Sequence, residues 1–396
     1  MRSIILSFLL IASSQISFAQ APARLKYFGF AIVDCGLDDP NDPAALTNYI
    51  SEVDTFSNVA QMCVENYTDT VINRVNLMNN LCVKPILSTS KIFIYLKDNK
   101  GPSGSNYDLY PDYLTRWNTF KATNAAVLNS GKINSFYVCD EPTWNGLTFG
   151  ELDTICSLIK KDFPTIPLIF VEAYTEVAHV QVPTTVDWIG FDHYGIYNVA
   201  TDPNYLAWLD TLESRRTTPQ QKIFLVFDDE WNSGFWPGGW QPDTMDQVVQ
   251  HYYDLAIADT NVIGLVGFTW PGLSPGWLGA RSMPQKVKNK AISIGKKIKA
   301  NYNPCNATGI QNNEEEKIVV EVYPNPAQDR LNIRLQGNQG AAFVKIYNAI
   351  GKIERAVFVS SYLTSIPIDD LSTGIYFYQV INKDTAILNS GKFVKE

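Results

Sequence analysis

The chain has 396 residues with a formal net charge of -8, 12% aromatic residues and three His. A negative balance without clustered Lys and Arg excludes nucleic acid as the expected partner, because such binding depends on releasing counterions from phosphates. Three His and no closely spaced Cys pair exclude the usual ligand sets of a catalytic transition metal, so neither a metal nor a cofactor is expected.

Residues 1–20 read as a cleavable secretory signal: a basic start at Arg2, an apolar run from Ile4 to Ala12, and a small, polar end at Ser17-Phe18-Ala19-Gln20. The apolar run is too short to span a bilayer, and no transmembrane anchor is expected. About 375 residues then remain, enough for one large core and a small module.

From residue 21 to 303, short apolar runs alternate with amphipathic stretches, the pattern of parallel strands covered by crossover helices. Strands are expected over 26–34, 58–64, 91–96, 133–139, 168–173, 186–192, 223–228 and 263–269. Helices are expected over 69–81, 110–129, 148–161, 205–215, 244–258 and 283–300. Eight strand-helix units in this length predict a (β/α)8 barrel, and no GxGxxG or Walker A loop follows a strand to suggest a doubly wound sheet. Cys35, Cys63, Cys82, Cys139, Cys156 and Cys305 can oxidise in an exported chain, but six Cys allow fifteen pairings and the spacing does not choose among them.

Residues 304–316 are polar and charged, including Asn312-Asn313-Glu314-Glu315-Glu316, and read as a linker. From 317 to 396, strands alternate with turns at Asn325-Pro326, Gly351-Lys352 and Thr373-Gly374, which predicts a small all-β, immunoglobulin-like sandwich. The segments Val322-Tyr323-Pro324-Asn325-Pro326, Val344-Lys345-Ile346-Tyr347, Leu371-Ser372-Thr373-Gly374-Ile375-Tyr376-Phe377 and Lys392-Phe393-Val394-Lys395 resemble the type A sorting domain of the type IX secretion system. The resemblance implies a partner in that secretion machinery, passage across an outer membrane, and a secreted or cell-surface location.

Barrel enzymes carry their reactive groups at the C-terminal ends of the strands, so polar residues at the expected strand ends are the candidates for chemistry. The fourth ends in Asp140-Glu141 followed by Pro142 and Trp144, a carboxylate pair in which burial or mutual charge can raise the pKa of a general acid. The seventh ends in Asp228-Asp229-Glu230-Trp231, where alternation puts Asp228 and Glu230 on one face. Acid clusters of this kind also bind Ca2+ through oxygen ligands. The sixth ends in Asp192-His193-Tyr194 and the eighth in Thr269-Trp270, while Asp34 and Glu172 follow the first and fifth. Trp144, Asp192, His193, Tyr194, Trp231, Trp270, Asp34 and Glu172 are thus the expected substrate-binding residues, with Trp270 as the floor beneath the cleaved bond.

This set resembles the clan A glycoside hydrolases. The resemblance implies a glycan substrate, Glu141 as acid/base, Glu230 as nucleophile with Asp228 as an alternative, and a retaining mechanism. Asp140 stands where that clan carries an Asn that donates to the sugar 2-hydroxyl. The adjacent Asp140-Glu141 pair also resembles substrate-assisted hexosaminidases, in which the Asp orients an acetamido group and no protein nucleophile is required. A barrel that binds glycans without turnover and a metal-assisted hydrolase are the remaining readings, since a fold does not fix a reaction.

Overall fold

The computed structural model describes residues 21–234, 236, 240–305, 319–336, 342–359, 363–382 and 387–396. The expected signal peptide and residues 306–316 of the expected linker lie outside them. The chain divides into two compact units, one ending at Thr308 and one beginning at Gly309.

The first unit is built from β1 Tyr27–Phe30, α1 Ile50–Val53, β2 Val59–Cys63, α2 Ile72–Asn80, β3 Lys84–Ser88, α3 Ser90–Phe93, β4 Ile94–Asp98, β5 Asn106–Leu109, α4 Tyr113–Leu128, β6 Ser135–Asp140, α5 Phe149–Asp162, β7 Leu168–Ala173, β8 Trp188–Asp192, α6 Pro203–Ser214, β9 Lys222–Asp228, α7 Met245–Ala258, β10 Val262–Phe268 and α8 Gln285–Lys299. Eight of these strands form one parallel sheet in the order β1-β10-β9-β8-β7-β6-β3-β2. The sheet closes where Asn58 N–H donates to the Phe28 carbonyl and Asp34 and Met62 form a parallel bridge. This is the expected α/β barrel, with helices outside and no free sheet edge.

The third strand is corrected from the sequence reading. The expected strand over 91–96 is a helical turn followed by one arm of a hairpin, β4 pairing antiparallel with β5. The barrel strand is β3, which starts seven residues earlier and whose Pro85 weakens its strand signature because Pro lacks the N–H that a ladder needs. The hairpin docks on the loop after β6: Ser103 N–H donates to the Trp144 carbonyl at 3.0 Å and Tyr107 N–H to the Asn145 carbonyl at 2.8 Å.

Local signals agree with the global pattern where the chain turns into its longer helices. Thr148 and Glu151 form a reciprocal capping box on α5, while Asp202 caps α6 directly ahead of Pro203. Phe28, Phe30, Phe136 and Phe191 face outward from the strands and are buried under the helices, where Trp117 of α4 packs on Phe136. A separate inner cluster of Val59, Ile86, Ile169, Trp188 and Phe224 fills the lower part of the barrel.

The two ends of this unit are sewn together at the strand-start rim. Asn301 donates to the carbonyls of Ala21, Pro22 and Leu25, and Asn58 donates to those of Lys26 and Tyr302. Disulfides join Cys35 to Cys63 and Cys82 to Cys305, whereas Cys139 and Cys156 are buried free thiols. No helix among the described residues is long and apolar enough to cross a membrane.

In the second unit, β11 Val319–Tyr323, β12 Arg330–Gln336, β13 Ala342–Tyr347, β14 Ile353–Val359, β15 Leu363–Pro367, β16 Gly374–Asn382 and β17 Ile387–Lys395 make two antiparallel sheets, β11-β12-β15 and β14-β13-β16-β17. Alternate residues of the strands, Leu331 and Ile333 on β12, Val344 and Ile346 on β13, and Tyr376 and Val380 on β16, join in one core. This is the two-sheet packing that strand alternation predicts.

Candidate active site

A bulge between Tyr137 and Cys139 resets the alternation of β6. Cys139 is buried away from the barrel axis, while Tyr137 and Asp140 both reach the cavity at the C-terminal rim. The Tyr137 hydroxyl donates to Asp140 Oδ1 and holds that carboxylate in place. Glu141 follows in a left-handed conformation, φ 45°, fixed by its N–H to the Val171 carbonyl at 2.7 Å and by Asn145 N–H to its own carbonyl at 2.9 Å. Non-Gly residues rarely occupy this region, and the strain of holding one there marks Glu141 as positioned by its surroundings. Ile32, a β-branched residue at φ 58°, lines the same cavity.

Asp192 enters from the end of β8. Its carboxyl is hydrogen-bonded with that of Glu141, and Tyr194 Oη donates to its Oδ2 at 3.2 Å. Two carboxyl groups can share such a bond only if one holds a proton, and the electrostatics agree. Burial, then the charges of Asp192 and Asp140, push the Glu141 carboxyl up to about 9. Burial and the Asp140 charge push Asp192 to about 7, against the pull of Tyr194 and Glu141. Asp140 opens to the cavity but lies deep enough that desolvation still raises it, opposed by the Tyr137 hydroxyl. At neutral pH the site therefore holds a neutral acid, Glu141, beside two carboxyl groups, one of which titrates near 7.

The seventh-strand acids form a second cluster. Asp228 Oδ2 accepts the Gly195 N–H at 2.9 Å and burial raises the group to about 7. Glu230 has 0% exposure, no hydrogen-bond partner for either oxygen, and a carboxyl pushed by burial and the Asp228 charge to about 9. Asp229 is likewise buried without a partner and raised well above the usual range by burial. After burial, the charges of Asp192 and Asp140 act most on Glu141 and that of Asp228 on Glu230, and Tyr194 lies within reach of both clusters.

These raised values fix the sign of a stability effect. Groups that bind protons more tightly folded than unfolded stabilise the fold below their ordinary pKa, near 4, and lose that contribution as pH rises toward 9. The melting temperature is expected to fall from pH 5 to pH 9, and Glu230→Gln to raise it by several degrees at pH 8 while flattening the slope. Differential scanning calorimetry across that range checks both. Buried Asp39 acts in the opposite direction. Burial works against its ionised form, but the Asn41 and Gly272 N–H groups and Arg281 prevail, so its contribution is lost on acidification below about 4.

Several expected site residues lie elsewhere. His193, next to Asp192, points to the opposite face as alternation requires, stacking on Trp208 at 4.8 Å. Trp270 is not the floor of a subsite: it packs on Phe30 and Phe56 and donates to Glu52 at 2.7 Å. Asp34 is ion-paired with Arg74 at 2.9 Å beside the barrel closure. Glu172 is fully buried and accepts the Thr143 and Trp144 N–H groups at 2.9 and 3.3 Å, so it supports the loop that carries Glu141. Trp144 joins that scaffold through its backbone, and Trp231 pairs with Leu278 and donates to the Trp240 carbonyl. Asp140, Glu141, Asp192 and Tyr194 are the sequence-expected residues that the cavity gathers. It adds Tyr137, Gln61, the Cys35–Cys63 disulfide, Trp277 and the paired Glu65 and Lys91, none of them at a position where a strand-end acid or aromatic drew notice. No group of three or more His, Cys, Asp or Glu able to hold a metal ion occurs among the described residues.

Residues 321–396 match the family model of the secretion system C-terminal sorting domain. The second unit is thus a sorting domain, which assigns the chain to a secreted or cell-surface location. No curated protein matches the chain. Among solved structures, a Cellulomonas fimi endo-β-1,4-mannanase double mutant is similar at 12% identity and a TM-score of 0.41, over 96% of this chain and 98% of that one. A β-mannanase of family 113 from Alicyclobacillus acidocaldarius is similar at 15% identity and 0.45, over 72% and 99%. A Bacteroides uniformis β-glucuronidase is similar at 10% identity and 0.44, over 94% of this chain but 46% of that one.

Proposed function

We propose that the barrel is an exported glycoside hydrolase in which Glu141 protonates the leaving oxygen. The observation that carries the reading is a Glu held in a strained turn at the strand-end rim, hydrogen-bonded to Asp192, with its carboxyl raised to about 9. A group in that state keeps its proton at neutral pH and gives it up when negative charge develops on a departing oxygen. Asp192 holds the Glu141 carboxyl and tunes it. Asp140, fixed by Tyr137 and open to the cavity, is the carboxylate that faces the sugar.

Two routes to the anomeric carbon follow. In the substrate-assisted route, Asp140 orients a 2-acetamido group whose carbonyl oxygen attacks while Glu141 donates its proton, and water then opens the cyclic intermediate. The closeness of Asp140, Glu141 and Asp192 favours this route. In the covalent route Glu230, whose two oxygens have no partner among the described residues, is the nucleophile and the mechanism is retaining. This requires it first to lose the proton that its raised pKa keeps at neutral pH and to gain access to the cavity, whose lining does not include it. A panel of aryl N-acetylhexosaminides and aryl hexosides tests the proposal. Turnover confined to the former supports assistance by the substrate, whereas hexoside turnover abolished by Glu230→Gln supports the covalent route. Release from neither class, nor from a broad polysaccharide panel, overturns the hydrolase reading in favour of a glycan-binding barrel, and loss on chelation would favour metal assistance.

The pH profile gives a second test. With Glu141 as the acid, kcat/KM falls as pH rises through about 9. Asp192→Asn removes the largest charge that raises Glu141, after burial, and is expected to move that alkaline limb to lower pH. Glu230→Gln is expected to leave the limb where it is. A limb unmoved by Asp192→Asn disproves the coupling.

A further inference from the structure

The interior of a (β/α)8 barrel is ordinarily filled by layers of side chains. Here a cavity of about 530 Å³ continues below the carboxylate rim into that interior. Asp140, Glu141, Asp192 and Tyr194 are gathered at strand ends, with Glu65 and Lys91 paired to each other. Deeper in, Gln61 accepts the Ile32 N–H and Tyr137 donates to Asp140, and the rest of the wall is Ile86, Ile169, Val171, Val226 and Val266. Val226 and Phe224, two residues apart on one face of β9, line it over about 7 Å along the strand. Gly190 of β8, paired with Val171, contributes no side chain at this depth, and a Cβ there would lie 2.5 Å from the Phe224 carbonyl oxygen. Below, Tyr27, Trp188 and Phe224 close the bottom with ring centroids 5.0 to 6.0 Å apart.

A sugar ring driven into such a chamber would leave its hydroxyls without partners, which is costly, whereas alkyl carbon gains from the same burial. We propose that the chamber is a binding site for an apolar substituent, alkyl or acyl, carried by the sugar whose ring lies at the carboxylate rim. The inference rests on the reading of that rim as a sugar site, and it narrows the substrate class to glycans or glycosides that bear such a group. The substituent is either the aglycone or an acyl group on the ring, and both present the same chemistry to the walls.

Calorimetric titration of the full-length mature Glu141→Gln protein separates the two. One series is methyl, propyl and hexyl β-D-glucoside, and the other is glucosamine N-acylated with two, three and four carbons. Affinity is expected to rise about fourfold per added methylene in one series until the chamber is full. Dependence in the alkyl series identifies an aglycone, and dependence in the acyl series a ring substituent. Flat or absent binding in both overturns the proposal. Val226→Phe, which fills the chamber, is expected to abolish the dependence, and Ile169→Ala, which enlarges it, to extend the chain length at which the gain stops. Because binding is read without turnover, chain-length dependence in a protein that hydrolyses nothing would leave the chamber standing and remove the hydrolase. Turnover with flat binding would do the reverse.

Discussion

Glu141→Gln is expected to lower kcat/KM by about 10^3-fold on a glycoside whose leaving group is a sugar or alkoxide, and by less than about tenfold on a 2,4-dinitrophenyl glycoside. The difference arises because dinitrophenolate departs without a proton, so a general acid contributes little to its release. Gln keeps the size of the side chain and its place in the turn after β6, where the φ of 45° is set by backbone contacts rather than by the carboxyl. Fold and binding should therefore persist, and the alkaline limb of the pH profile should vanish with the group that titrates. Steady-state kinetics on the two substrates decide the matter: equal loss on both would assign Glu141 to binding or attack, and no loss on either would remove it from the chemistry.

Breaking the Cys82–Cys305 disulfide is expected to destabilise the barrel by about 5 kcal/mol in the chain-entropy account. The bridge closes a loop spanning 223 positions and so restricts the unfolded chain heavily. Chemical denaturation of Cys82→Ser, with and without a reductant, measures the loss; an unchanged midpoint would show that the bridge does not restrict the unfolded chain as the entropic account requires. The bridge also bears on any tail-free protein. A truncation at residue 303 discards Cys305, leaves Cys82 as a free thiol and confounds an activity screen, whereas one ending just after Cys305 keeps the pair.

The barrel was legible in the sequence because a strand covered by helices leaves a short apolar run, and eight such runs of similar length occur. The third was misplaced where Pro85 interrupts the true strand and the more β-like 91–96 follows it. Asp140, Glu141, Asp192 and Tyr194 were legible as strand-end polar residues. Tyr137 was hidden by the bulge after it, which turns a residue three before Asp140 onto the same side. His193 shows the converse, a polar residue beside a cavity-facing one that alternation sends outward. Trp270 lies beyond the last strand, where loop geometry and the Glu52 acceptor decide its direction, and neither leaves a mark in local sequence. The tail was legible in detail because its recognition rests on turns and strand ends in fixed order.

The hydrogen bonds from Asn301 and Asn58 bring residues 21–26 and 301–302 to one edge of the barrel, beside the starts of β1 and β2. Both segments lie at the strand-start rim, at the other end of the strands from the entrance above Asp140 and Glu141. Each bordering loop, the β4–β5 hairpin among them, can lengthen or shorten as an independent segment, which lets the entrance be reshaped for different substrates without unpicking the seam that holds the ring of strands shut.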